Sequence, residues 1–133
     1  MVALPSVNLL AVVVAAAVVF VLGGAYWAVV APFLSRRLGR SSDDARPTPA
    51  QLGIAFVTRV VVAYFLAVFA GWAAVNGIGG GAEVGFLAWL GLVVPYIIGQ
   101  ASFERKPWQT VAIALPEALT AYVVMGAIVG AWR

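Results

Sequence analysis

The chain has 133 residues, of which 64% are hydrophobic and 10% are charged, and its formal net charge is +3. A soluble globular domain is about half apolar and about a quarter charged; in water this composition would expose large apolar patches, so a water-soluble fold is excluded. The chain contains neither Cys nor His, which excludes disulfides, thiol chemistry and Cys/His zinc sites. A membrane-spanning helix needs about 20 apolar residues, so residues 1–133 are predicted to form a single domain of about four spans.

The first predicted span is an apolar run of Val, Ala and Leu over about residues 7–30. A cleaved signal peptide is the alternative interpretation, and it requires positive charge ahead of the apolar run. In this chain the positive charge follows the run, as Arg36, Arg37 and Arg40. The position of the charge therefore favours a retained membrane span.

The second span opens with a helix-start signal. Thr48-Pro49-Ala50-Gln51 is a capping box, in which the Thr and Gln side chains satisfy free backbone N–H groups and Pro takes the first helical position. The apolar pattern continues over about residues 49–75. Residues 76–81 include four Gly and are predicted to form a flexible turn that ends this span.

The third span is predicted over about residues 83–102 and the fourth over about residues 107–132. Pro95 lies inside the third span, where it removes a helical hydrogen bond and favours a kink. The turns on either side of the third span are short, so neighbouring spans are expected to pack as hairpins. The predicted fold is an all-α membrane protein with four transmembrane helices in an antiparallel bundle.

Lys and Arg are distributed unequally among the loops. Loop 31–48 holds four Arg and loop 103–106 holds one Arg and one Lys, whereas the opposite side has a single Arg. Cytoplasmic loops are enriched in these residues, so both loops are expected in the cytoplasm and both termini outside. Tyr26 is then expected at the inner interface and Trp89 near the outer one. The Ala-, Val-, Gly- and Arg-rich composition suggests a high-GC bacterium, and the expected location of the four spans is the bacterial inner (cell) membrane.

An internal repeat is one interpretation of matching residues in the second and fourth spans. Pro49-x-Gln51 recurs as Pro107-x-Gln109, and Ala63-Tyr64 recurs at the same offset as Ala121-Tyr122. A duplicated helical hairpin, related by a pseudo-two-fold axis along the membrane normal, would produce this pattern. Chance matches in an Ala- and Val-rich chain are the alternative.

Two charged residues lie inside predicted spans. Arg59 follows Pro49 by ten residues, and Glu117 follows Pro107 by ten, so each lies about 15 Å along its helix and near mid-bilayer. A lone charge there costs at least about 2.5–3.5 kcal/mol. The two residues are therefore predicted to form an intramembrane charge pair, with side-chain atoms within about 4 Å. The alternative is functional, with Glu117 as a proton or cation site and Arg59 holding an anion.

Other residues are candidates for helix packing or for a polar cavity. Gly126 and Gly130 form a GxxxG pattern, which permits close helix contact within the bundle or between protomers. Four polar side chains inside the spans are candidates for lining a cavity or for interhelical hydrogen bonds: Tyr64, Tyr96, Gln100 and Tyr122.

The sequence contains no recognisable catalytic set, carboxylate pair or metal-ligand cluster, so we expect neither enzyme activity, cofactor nor metal. The basic residues cluster at one membrane face, so no nucleic-acid partner is expected. The leading hypothesis is a non-enzymatic membrane protein of structural, accessory or assembly type, working as a homo-oligomer or beside a larger membrane partner. The alternative is a small-solute or ion transporter or channel that uses Glu117 as an intramembrane carboxylate.

Several short segments together resemble one known family. They are Asn8, the segment Gly23-Gly24-Ala25-Tyr26-Trp27 with Pro32-Phe33, the turn from Phe103 to Trp108, and the stretch from Met125 to Ile128 with Trp132. The chain resembles the small four-span bacterial membrane proteins catalogued as domain of unknown function seventeen-sixty-one. Members of that family tend to have an aromatic pair in the order Trp-Tyr, where this chain has Tyr26-Trp27. The resemblance covers nearly the whole chain and implies a four-span fold, but the family has no established activity and implies no mechanism.

Overall fold

The computed structural model describes residues 2–38 and 48–133, and the elements within these ranges are all helical. The first span belongs to α1 (Leu9–Leu38) and the second is α2 (Pro49–Trp72). The third span comprises α3 (Ile78–Ala88), a π-helical turn (Trp89–Val93) and α4 (Val94–Glu104), and the fourth is α5 (Trp108–Ala131). All four spans are long and apolar enough to cross a membrane, which confirms the predicted all-α, four-span fold.

Side chains satisfy the free backbone N–H groups at the starts of the first two helices. The side-chain oxygen Oδ1 of Asn8 accepts hydrogen bonds from the backbone N–H groups of Leu10 and Ala11, which makes Asn8 the N-cap of α1. The predicted capping box of α2 is confirmed, because the Thr48 hydroxyl accepts from the Gln51 N–H and the Gln51 side chain accepts from the Thr48 N–H.

The predicted boundary between the second and third spans is wrong. The second span ends at Trp72, and α3 begins at Ile78 rather than at residue 83. Residues 79–81 are therefore helical, although Gly is a poor helix former in isolation. The turn that reverses the chain lies earlier and contains two residues with positive φ, Ala74 at 54° and Gly77 at 106°.

Gly81 and Gly85 of α3 allow two helix backbones to touch. A Cβ atom on Gly81 would collide with the carbonyl oxygen of Gly126, and a Cβ on Gly85 would collide with the carbonyl oxygen of Tyr122. The Gly77 N–H also donates a 2.9 Å hydrogen bond to the carbonyl oxygen of Gly130. Backbone contact of this kind is typical of membrane helices with small residues four positions apart. It offsets the low helix propensity of Gly.

The third span departs from a regular α-helix just before Pro95, the residue at which the sequence predicts a kink. The residues just before it form the π-helical turn, in which the Val94 N–H donates to the carbonyl oxygen of Trp89, five residues back. A proline cannot donate to the carbonyl four residues before it. The local widening of the helix re-pairs the backbone around that missing donor.

The helix α5 contacts α1, α2 and the third span. Along the α3–α5 contact, residue numbers rise from Gly77 to Gly85 while their partners fall from Gly130 to Tyr122, so these helices run in opposite directions. The buried core draws side chains from all four spans, and Leu66 and Met125 are its largest members. Large apolar side chains are nevertheless exposed on every span, as expected of a surface that faces lipid.

The two helical hairpins do not pack alike. In the second hairpin, α3 and α5 are in backbone contact at their glycines. In the first hairpin, α1 and α2 meet through side chains, including an edge-to-face contact between Phe20 and Phe56 with ring centroids 5.7 Å apart. Beyond that contact an open cleft separates α1 from α2. Any duplication in the sequence is therefore not reproduced as two equivalent hairpins.

Candidate functional site

The two intramembrane charges are in direct contact. The guanidinium Nη2 of Arg59, on α2, lies 3.0 Å from the carboxylate Oε1 of Glu117, on α5, and donates a hydrogen bond to it. Both side chains are largely enclosed, with 28% of the Arg59 side chain and 11% of the Glu117 side chain exposed. The pair therefore lies inside the bundle of a single chain, at the distance that the depth argument predicts.

Gly23 brings α1 against this pair. A Cβ atom on Gly23 would lie 3.2 Å from Oε1 of Glu117 and 3.7 Å from Nη2 of Arg59. The first distance is tighter than ordinary van der Waals contact, so Gly allows α1 to cover the pair without displacing it. Sequence reasoning did not connect Gly23 with the charges, and the signal available was a glycine in an otherwise Val-, Ala- and Leu-rich span.

A layer of side-chain hydrogen bonds surrounds Pro116, the residue before Glu117. Pro116 lies inside α5, where it removes one helical hydrogen bond. The Tyr26 hydroxyl donates to the carbonyl oxygen of Ile113 at 2.8 Å, and the Trp89 indole Nε1 donates to the carbonyl oxygen of Leu115 at 3.0 Å. Both aromatic residues thus reach backbone carbonyls beside a proline that the sequence analysis overlooked.

The structure corrects the predicted position of Trp89. Trp89 lies in the middle of the Ile78–Glu104 span and donates to the carbonyl oxygen of Leu115 on α5, so its expected place near the outer interface is wrong. Tyr26 directs its hydroxyl to the backbone of α5, where it donates to the carbonyl oxygen of Ile113. The physical reason is that Tyr and Trp need a hydrogen-bond partner when buried, and a backbone carbonyl oxygen has a second lone pair that can accept from them.

The cleft between α1 and α2 has a volume of about 870 Å³ and ends at the charge pair. Its walls are mainly apolar or small side chains, among them Phe20, Gly24, Trp27 and Ala55, and Arg59 supplies its charged end. The cleft is partly open, and the described residues that line it all belong to α1 and α2. Arg59 therefore has two faces, one bonded to Glu117 and one bordering the cleft.

A smaller cavity of about 130 Å³ reaches the other partner of the pair. It lies between α1 and α5, and its lining includes Tyr26, Glu117 and Thr120. The Thr120 hydroxyl already donates to the carbonyl oxygen of Pro116 at 3.0 Å. The cavity therefore brings Glu117 next to open space with polar groups in its walls.

The four polar candidates from the sequence do not share one site. Tyr96 and Gln100 line a cavity of about 250 Å³ between α4 and α5, together with Glu104 and Lys106. Tyr64 and Tyr122 pack against the buried core instead. Gly126 and Gly130 lie in the contact with α3, so the GxxxG pattern is used within the chain.

The described residues contain no group of three or more Asp, Glu, Cys or His side chains close enough to hold a metal ion. What the central site offers chemically is a carboxylate neutralised by a guanidinium, and guanidinium donors that border an apolar cleft. Such an arrangement can stabilise helix packing, and it can bind a molecule that accepts hydrogen bonds.

One family is similar to this chain over almost its full length. A family described as a protein of unknown function, DUF1761, matches residues 10–130. No curated protein matches the chain, and no solved structure matches it.

Proposed function

The chain belongs to the DUF1761 family, and we propose that it is a non-enzymatic membrane protein of structural or accessory type. The observation that carries this proposal is that the central polar side chains of three spans contact the fourth. Three spans each send one side chain to the segment 113–117 of α5: Tyr26 from α1, Arg59 from α2 and Trp89 from the third span. The polar layer thereby links all four spans at one level.

Such a layer favours one packing arrangement over others. A membrane helix gains little from apolar packing that lipid cannot also provide, so interhelical hydrogen bonds and close small-residue contacts select its partners. A buried charge pair adds little net stability, but a mispaired register would leave each charge alone. The polar groups at the centre of this bundle are thus accounted for by its assembly, which supports a structural or accessory role.

A test separates a structural pair from a transporting one. Replacing both partners together, Arg59→Met with Glu117→Leu, removes the charges while keeping similar volumes. A structural role predicts that this double variant still inserts into the membrane and folds. It also predicts that vesicles containing the wild-type protein show no more proton or cation flux than protein-free vesicles. Flux through the wild type that disappears in Glu117→Gln would refute the structural proposal.

Transport is the second candidate, and one specific observation favours it. The cavity of about 130 Å³ beside Glu117 has room for a few water molecules and polar groups to hold them. An ionisable residue next to such a space is a candidate for carrying a proton or a cation. The flux measurement decides between the two functions.

The proposed orientation places both termini outside the cell membrane of a bacterium, as the Lys and Arg distribution favours. Since the natural chain contains no Cys, single cysteines introduced as Ser42→Cys and Asn76→Cys can be labelled in intact cells. We expect an impermeant thiol reagent to reach position 76 and not position 42. Labelling of position 42 alone would show that the orientation is the opposite one, with both termini inside the cell.

Association with a second copy or with a larger membrane protein is also proposed. The small residues that favour association in the sequence, Gly126 and Gly130, are engaged within the chain, so a partner would contact other faces. Native mass spectrometry of the protein in lipid nanodiscs is expected to show a dimer or larger species. A monomer at all concentrations would refute self-association and leave a heterologous partner as the remaining form of the proposal.

A further inference from the structure

The α1–α2 cleft combines the size and the lining of a small-molecule site. Binding pockets for small molecules measure about 300–1,000 Å³ and are mostly apolar, with a few polar groups that orient the ligand. The cleft, at about 870 Å³, lies within that range, and its charged group, Arg59, stands at one end. Its walls run from Phe20 to Pro32 along α1, which corresponds to about 18 Å of helix.

Arg59 has hydrogen-bonding capacity beyond its bond to Glu117. A guanidinium carries five N–H donors, and the bond from Nη2 to Oε1 of Glu117 is one contact. Among the described residues, no fully buried side-chain nitrogen or oxygen lacks a hydrogen-bond partner, so the other Arg59 nitrogens are either bonded or accessible. With 28% of its side chain exposed beside apolar walls, Arg59 is suited to a ligand that brings an acceptor oxygen into the cleft.

The charge balance selects the class of that ligand. Glu117 already neutralises Arg59 across a 3.0 Å contact, so an anion in the cleft would leave a net negative charge at mid-membrane, which is costly. A neutral molecule with a carbonyl oxygen satisfies the guanidinium without adding charge. We propose that the cleft between α1 and α2 binds a neutral, lipid-soluble carbonyl compound, whose carbonyl oxygen accepts from Arg59 and whose apolar chain lies along Phe20, Gly24 and Trp27.

This site goes beyond the structural role, because a scaffold needs no ligand there. Gly24 provides a way to close the cleft without touching the charge pair. It lines the cleft, and a Cβ atom built on it would have no neighbour within 4 Å. Gly53 on α2 is also open in this way but lies outside the cleft lining, so Gly53→Leu is the matched control for Gly24→Leu.

The experiment uses the full chain in lipid nanodiscs, with empty nanodiscs as the blank, and three probes of equal chain length. These are octadecan-2-one, which is neutral with a carbonyl, octadecane, which has no acceptor, and octadecanoate, which is anionic. We expect the ketone to bind the wild type and Gly53→Leu with equal affinity. Its affinity for Gly24→Leu should be at least about tenfold lower, and so should the affinity of the wild type for octadecane. The double variant Arg59→Met with Glu117→Leu should bind ketone and alkane alike.

Several results would overturn the proposal. Equal binding of ketone and alkane to the wild type would show that Arg59 does not recognise the ligand. Unchanged ketone binding in a folded Gly24→Leu protein would show that the ligand binds elsewhere. Circular dichroism of each variant checks folding, and Gly24→Ala is included as a milder substitution. Tighter binding of octadecanoate than of the ketone would show that the ligand is an anion. A change of oligomeric state in Gly24→Leu would show that the cleft is an interface between copies.

Discussion

Breaking the central charge pair tests the structural role of the polar layer most directly. We expect Arg59→Met to lower the free energy of unfolding by about 3–5 kcal/mol, because Glu117 is left buried and uncompensated. Glu117→Leu should cost a similar amount, because it strands the guanidinium of Arg59. The double variant should cost less than either single variant, by at least about 2 kcal/mol, since it leaves no unpaired charge.

The expected magnitude follows from the geometry of the contact. Nη2 of Arg59 and Oε1 of Glu117 are 3.0 Å apart, which puts the charge centres near 4 Å and gives about 4 kcal/mol of attraction at an effective dielectric constant of about 20. An isolated charge at mid-membrane costs about 2.5–3.5 kcal/mol on insertion scales. The two estimates agree at about 3–4 kcal/mol. Neither applies to an exposed pair, because water screens it.

The chain provides a matched control for this measurement. Lys106 Nζ and Glu104 Oε2 are also 3.0 Å apart, but about half of each side chain is exposed (51% and 47%). Glu104→Gln should therefore change the free energy of unfolding by less than about 1 kcal/mol. The assay is reversible unfolding in mixed micelles, followed by tryptophan fluorescence and circular dichroism. If the double variant costs as much as the two single variants added together, the two charges do not stabilise each other.

Three further predictions use the same unfolding assay. Gly81→Ala places a Cβ against the backbone of α5 and should lower the free energy of unfolding by about 1–3 kcal/mol. Gly79→Ala is the control, because the space around its Cβ is open, and it should be neutral or slightly stabilising. Equal effects of the two substitutions would refute the close-contact argument. Tyr26→Phe removes the hydrogen bond to the carbonyl oxygen of Ile113 and should cost about 1 kcal/mol. Trp89→Phe removes the bond to α5 and should cost at least as much; no loss in either would mean that these bonds do not hold the layer.

The features predicted correctly are those that leave a local signal in the sequence. Four apolar runs of spanning length predict four helices whatever their arrangement, and the pattern Thr48-Pro49-Ala50-Gln51 predicts a helix start because all of its partners lie within four residues. The contact between Arg59 and Glu117 is long-range, yet depth alone brings it within reach. Two opposite charges at the same level of a bilayer have few other partners available.

The turn between the second and third spans was mispredicted because glycine has two opposite uses. In an isolated chain, a run of Gly destabilises a helix, and residues 76–81 read as a loop. In contact with another helix, the absence of a Cβ allows the two backbones to touch. Gly77, Gly81 and Gly85 are spaced by four residues, as are Gly126 and Gly130, and only the match between the two rows indicates a helix.

The same reasoning explains why the layer around Pro116 is visible only in three dimensions. A proline within a span is common in membrane helices and does not indicate which residue it contacts. From the sequence, Tyr26 and Trp89 are each expected at a membrane interface. Their roles depend on which carbonyls they reach, the oxygens of Ile113 and Leu115. Three helices meet α5 within one turn of Glu117, so a substitution at any of these donors should weaken the packing of its own span first. The order in which the spans loosen during unfolding of Tyr26→Phe and Trp89→Phe, followed by hydrogen exchange, would show whether the layer acts as one unit or as three separate contacts.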